Sequence, residues 1–188
     1  MHFCGAGACG EAIELTDVVF AAPVAMEDGA TRQVQLQIAG DHGSSRATLF
    51  ARDGAGWTSC ASATLQRAAE PAALMPLPAL RERCHEECDA TAHRAAAARF
   101  GLAYGPTFQA VTEVWRGDKV ALARLDPVVV PPSSGFLMHP ALLDAALQAL
   151  SHAVGANPRH DGSFVPARIA RCCFAKSIVA EGPLWVQA

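Results

Sequence analysis

Residues 138–150, MHPALLDAALQAL, set one carboxyl inside an otherwise apolar helical pattern, so the fold must bury most of this rod and still give its acid a place. Pro140 suits a first helical position, where its missing N–H is no loss, and Gly155 supplies a stop. Leu143, Leu147 and Leu150 follow the i, i+4, i+7 spacing of a buried stripe. Asp144 and Gln148 lie four apart on a neighbouring face, within hydrogen-bonding reach of each other. Asp144 is thereby a candidate proton donor. The same spacing also fits a solvated helix face, because periodicity does not separate an enclosed polar face from a wet one.

A length of 188 residues with 51% hydrophobic content is ample for one large core or two small ones. The net charge of −3, with Lys and Arg scattered, argues against a nucleic-acid groove or an anionic membrane surface as partner. No apolar run reaches the length of a membrane span, and the opening MHFCGAGACG lacks the pattern of a signal peptide, which makes the cytoplasm the expected location. Seven cysteines in that setting read as reduced thiols rather than a disulfide framework.

In chain order, residues 13–20 (IELTDVVF) predict a strand, and residues 32–39 alternate Val34, Leu36 and Ile38 with Gln33, Gln35 and Gln37, the period of a strand with one wet face. Residues 46–52 and 57–65 predict two further strands, joined by a hairpin at 52–56, to make an antiparallel meander. Residues 70–80, EPAALMPLPAL, carry three prolines and no period, which predicts a linker. The Ala-rich stretch 81–100 predicts a helix ended by Gly101. A turn at 104–108 leads to strands 108–115 and 119–125, PPSSG at 131–135 precedes the central helix, a loop spans 157–162, and strands are expected at 164–174 and 184–187. The expected division is therefore 1–70, a linker at 71–80, and 81–188. The fold class is α+β, antiparallel sheet wrapped around a long helix.

Other chemical motifs are weak. CHEEC at 84–88 would put Cys84 and Cys88 four apart on a helix, but no second Cys or His pair completes a zinc site, and no metal is expected. No GxSxG elbow is present, and GAGACG at 5–10 follows no predicted strand, so no nucleotide loop is expected. The histidines are spread along the chain and read as surface or structural. His139, held extended ahead of Pro140, reads as part of the helix mouth.

Three motifs in order, YGPTFQ at 104–109, VWRGD at 114–118 and HPALLDAALQAL at 139–150, resemble the dehydratase domain of modular type I polyketide synthases. ELTDVVFAAPVAM at 14–26 and FVPARI at 164–169 resemble strands of the same domain. The resemblance implies a double hotdog fold, two halves each with antiparallel strands around a helix, here incomplete at both ends. It implies elimination of water from a 3-hydroxyacyl chain, held on the phosphopantetheine of an acyl carrier protein, to give a 2-enoyl thioester, with no cofactor of the domain's own. It assigns Asp144 as the proton donor, Gln148 as its orienting partner and His139 as a supporting residue. Tyr104, Gly105, Pro106, Phe108, Val165 and Pro166 are then expected to line the substrate tunnel.

One element of that pattern is absent from the sequence. The family's catalytic His lies in an HxxxGxxxxP motif upstream of the ELTDVVF-like strand, and His2 does not fit it. The chain is therefore expected to be inactive alone, needing an upstream segment or other synthase domains as partners, with a homodimer also compatible. The alternatives are an inactive, structural dehydratase-like piece of a megasynthase, and a cyclase or isomerase variant of the same cleft.

Overall fold

The computed structural model describes residues 13–40, 43–68, 75–99, 101–129, 136–154, 166–174 and 182–188. The described residues fall into two compact units, one holding residues 13–68 and 166–174, the other holding residues 75–154 and 182–188. The sequence division at 71–80 misses the return of residues 166–174 to the first unit. Their pairing explains it.

In the first unit β1 (Ile13–Phe20), β2 (Val34–Gly40), β3 (Ser44–Asp53), β4 (Gly56–Arg67) and β8 (Arg168–Phe174) form a five-stranded sheet in the order β2-β3-β4-β1-β8. The expected meander is β2-β3-β4, antiparallel throughout. β2 is one of the two edge strands, and its alternation buries less than expected, with Val34 and Ile38 exposed. β1 lies between β4 and β8, with Glu14 opposite Gln66 on one side and Cys173 on the other. Glu14 is buried, and accepts hydrogen bonds from Gln66 Nε2 at 2.8 Å, Arg171 Nε at 2.7 Å and the Cys173 thiol at 3.1 Å. This polar row ties strands more than 150 residues apart in sequence, which is why β8 belongs here.

In the second unit β5 (Glu86–Asp89), β6 (Val111–Gly117), β7 (Val120–Leu125) and β9 (Leu184–Gln187) form an antiparallel sheet in the order β5-β6-β7-β9. The helices are α1 (Leu77–Arg83), α2 (Ala90–Arg99), α3 (Pro140–Gln148) and α4 (Leu150–Val154). β7 is buried on both faces. Ala121, Ala123 and Leu125 join Val114 and the α3 residues Ala141, Leu142, Ala145 and the following Ala149 in one cluster. Val120 and Leu122 join Trp115, Leu80 of α1 and Cys84 in another. Gly117, at the β6–β7 hairpin, is required by close approach, since a Cβ there would collide with the Arg83 carbonyl.

Three expectations are corrected. The helix over 81–100 is broken, because Cys84 leaves α1 in an extended conformation and residues 86–89 pair with β6. Tertiary pairing overrides helix propensity there, and Asp89 then caps α2 by accepting from the Ala92 N–H at 2.7 Å. CHEEC consequently runs from a helix end into an edge strand, with Cys84 and Cys88 in separate apolar clusters and both thiols pushed up by burial. The stretch expected as a linker contains the start of α1, whose prolines, Pro76 and Pro78, sit at its cap and first turn where no N–H is needed. The buried stripe of α3 is alanine-based, with Leu143 and Leu147 only half-buried and Leu150 exposed.

Gly101 ends α2 as expected, at a positive φ of 75°, and the Gly101 and Leu102 N–H groups donate to the carbonyls of Ala98 and Ala97 respectively. The expected stop at Gly155, the loop at 157–162 and the segments 5–10 and 131–135 lie outside the described residues. No helix among the described residues is long and apolar enough to cross a membrane.

The Glu14 row carries a pH prediction. Three donors, Arg171 foremost, hold its carboxyl down to about 2 from the ordinary 4.5. The unfolded chain takes up this proton near 4.5 and the folded chain only near 2, so the stabilisation is complete above 4.5 and lost as pH falls towards 2. Glu14→Gln should lower the denaturation midpoint at neutral pH and flatten its acid dependence between those values. An unchanged pH profile would contradict this role.

Candidate active site

The polar face of α3 is built from its N-terminus onward. His139 caps the helix, its Nδ1 accepting from the Ala141 N–H at 3.1 Å, while Phe136 meets its ring edge-on. The helix-mouth role expected for His139 is therefore the observed contact. One turn further, Gln148 Nε2 donates to Asp144 Oδ2 at 2.7 Å, the pairing their spacing predicts. Asp144 is half-buried, whereas Gln148 is only 7% exposed.

The YGPTFQ segment folds against the same amide. Gly105 precedes a 3-10 turn at Pro106–Phe108, and Gln109 Nε2 closes the segment by donating to the Tyr104 carbonyl at 2.7 Å. The Phe108 carbonyl then accepts from Gln148 Nε2 at 3.1 Å. Tyr104 lies face-parallel to His93, and its phenol is raised by burial first and by the Asp144 charge second. Of the residues expected to line the tunnel, Tyr104, Gly105, Pro106 and Phe108 thus lie in the unit that holds Asp144. Pro166 belongs to the other unit, and Val165 lies outside the described residues.

Two histidines not singled out in the sequence complete the network. His93 Nε2 lies 3.0 Å from Gln148 Oε1, and His93 Nδ1 lies 2.8 Å from His152 Nε2. His93 is 4% exposed and His152 8%. Hydrogen placement follows by elimination. The Phe108 carbonyl and the Asp144 carboxyl are both acceptors, which fixes the amide NH2 of Gln148 towards them and its oxygen towards His93. His93 must then donate from Nε2, and as a neutral ring it accepts at Nδ1 from the Nε2–H of His152. Burial lowers both histidines; Arg94 adds to this for His93, and His93 and Arg116 add to it for His152. A sequence signal for His152 existed, since Asp144, Gln148 and His152 form an i, i+4, i+8 polar line on an apolar rod. His93 had a weaker one, as an imidazole within an alanine-rich helix.

His152 is depressed to about 4 from the ordinary 6.5. The unfolded chain protonates first, so acidification from 6.5 towards 4 should progressively destabilise the folded chain through this residue. An NMR titration should find the His152 midpoint near 4, and a midpoint near 6.5 would contradict the burial described.

A sequence model described as the polyketide synthase dehydratase N-terminal domain matches residues 72–188. The phenolphthiocerol synthesis polyketide synthase type I Pks15/1 of Mycobacterium bovis is 35% identical over 149 residues, covering 74% of this chain and 7% of that protein. Polyketide synthase ThaG of Burkholderia thailandensis is 35% identical over 167 residues, covering 84% of this chain and 3% of that protein. The chain thus spans a small fraction of the length of these relatives. Among solved structures, the dehydratase domain from the CurK module of curacin polyketide synthase is similar at a TM-score of 0.80 and 26% identity, over 95% of this chain and 63% of that one. The CurJ dehydratase domain gives a TM-score of 0.82 at 21% identity, over 94% and 62%, and speaks to the fold alone. The fold is the α+β hotdog type of these dehydratases, and with the HPALLD helix inside the matched stretch, the chain belongs to the polyketide synthase dehydratase family.

Proposed function

We propose that this chain supplies the proton-donor part of a dehydratase that eliminates water from a 3-hydroxyacyl thioester carried on the phosphopantetheine of an acyl carrier protein. The observation that carries the reading is the 2.7 Å bond from Gln148 Nε2 to Asp144 Oδ2. It fixes the carboxyl while leaving Oδ1 to hold and deliver a proton. In the reaction a base removes the α-proton, its electrons form the Cα–Cβ double bond, and the β-hydroxyl departs as water on taking the Asp144 proton. Hydroxide is a poor leaving group, so protonation of that oxygen as the C–O bond breaks lowers the barrier. Return of the abstracted proton to Asp144 resets the site.

The base is assigned by resemblance to a histidine in an HxxxGxxxxP segment, which this sequence does not contain. Other domains of a synthase are the partners consistent with relatives that are large polyketide synthases. Tyr104, whose phenol is raised in part by the Asp144 charge, and Phe108, whose carbonyl accepts from the Gln148 amide, would flank the acyl chain. An inactive aspartate-to-asparagine mutant of the CurK dehydratase supports a carboxylate role in that relative, and we extend it to Asp144.

The test joins this chain to a segment carrying the HxxxGxxxxP histidine and follows loss of water from a carrier-bound 3-hydroxyacyl substrate by mass spectrometry. Asp144→Asn should reduce turnover by roughly 10²- to 10⁴-fold, the range for loss of a general acid, without unfolding the chain. Unchanged turnover would exclude Asp144 as the donor.

A further inference from the structure

We propose that His93, held by His152, is a positioning residue that locks the Gln148 amide in the one orientation that presents its NH2 to Asp144. The inference rests on the proton-donor reading of Asp144 and goes beyond it, to residues outside the motifs that carry the family resemblance.

The geometry is a one-directional chain of donors. His152 Nε2–H donates to His93 Nδ1, His93 Nε2–H donates to Gln148 Oε1, and the Gln148 amide donates to Asp144 and to the Phe108 carbonyl. A primary amide is nearly symmetric in shape, so contacts of shape alone would not tell its two ends apart. Turned over, Gln148 would set its oxygen against the Phe108 carbonyl and the Asp144 carboxyl, and its NH2 against the Nε2–H of His93. His93 opposes that flip from the far side. His152 in turn fixes the tautomer of His93, because its N–H occupies the Nδ1 acceptor and leaves the ring proton on Nε2. The two links made by the histidines are buried, with His93, His152 and Gln148 each under 9% exposed, so water is a poor substitute for a missing partner there. They also come from separate elements: α2 carries His93, α3 carries Asp144 and Gln148, and α4 carries His152. The orientation of the carboxyl thereby depends on the packing of three helices.

The test is a mutant cycle in the dehydratase assembled from this chain and the segment that supplies the α-proton base. His93→Phe keeps a planar ring but removes the donor, and should lower kcat about tenfold with KM unchanged, as expected when a catalytic group is misaligned but substrate binding is intact. His93→Gln places an amide N–H where Nε2–H was and should stay within about threefold of the parent, while His93→Asn is too short and should not. Because His93 acts through the amide, His93→Phe with Gln148→Ala should be no slower than Gln148→Ala alone. Full kcat in His93→Phe, losses that multiply in the double variant, or equal activity of the Gln and Asn variants would each overturn the proposal. If His93→Phe fails to fold, the comparison of Gln with Asn decides alone. Asp144→Asn, run in parallel, separates the two readings: if it retains full turnover the proton-donor assignment fails, and if it is inactive while the cycle is additive only the positioning role fails.

Discussion

The amide of Gln148 is the contact on which the candidate site depends. It is buried, it has two acceptors on one side and a donor on the other, and only one orientation satisfies all three. A buried amide with unsatisfied ends loses about 1–3 kcal/mol per lost partner, so the arrangement is held by the same energetics that hold the core. Asp144, by contrast, is half-buried and takes its orientation from that amide. The rigid partner is the glutamine, and the chemistry is assigned to the more accessible acid beside it.

Small side chains put the helix where the amide can work. Ala141, Ala145 and Ala149 are each 0–1% exposed and meet Ala121 and Ala123 on β7, so α3 and the residue after it sit close on the sheet. With leucines in those places the helix would stand further off, and overpacking of this kind commonly costs about 1–3 kcal/mol. In the first unit the corresponding constraint is polar. Glu14 joins β4, β1 and β8 in one row, and brings residues 168–174 back to a sheet begun by residue 13.

Much of this was legible in the sequence because local pattern and tertiary structure agree there. β1 and β9 fall at the residues their patterns predict, and the 144/148 spacing on a Pro140-initiated helix gives the Asp144–Gln148 bond. The misses share a cause: each depends on a partner distant in sequence. Residues 86–89 are strand because β6 lies beside them, although their neighbours favour helix. The leucines of α3 drew the buried stripe to the wrong face, since periodicity weighs hydrophobicity and the sheet selects small volume. His93 and Gln148 are 55 residues apart, and no spacing rule links them. His152 was closer to hand, inside the helix expected between Pro140 and Gly155 and on the same i+4 line as Asp144 and Gln148, but without its distant partner His93 a lone histidine there reads as a surface or structural residue.

The central claim, a buried chain of donors ending on Asp144, is tested most directly by the position of two protons. Long-range proton–nitrogen NMR on the chain labelled with 15N-histidine distinguishes the two neutral tautomers from each other and from the charged ring. At pH 7 the account predicts that His93 and His152 are both neutral and both carry the proton on Nε2. A proton on Nδ1 of either ring would contradict it, because the Gln148 amide would then lack the donor that fixes its orientation.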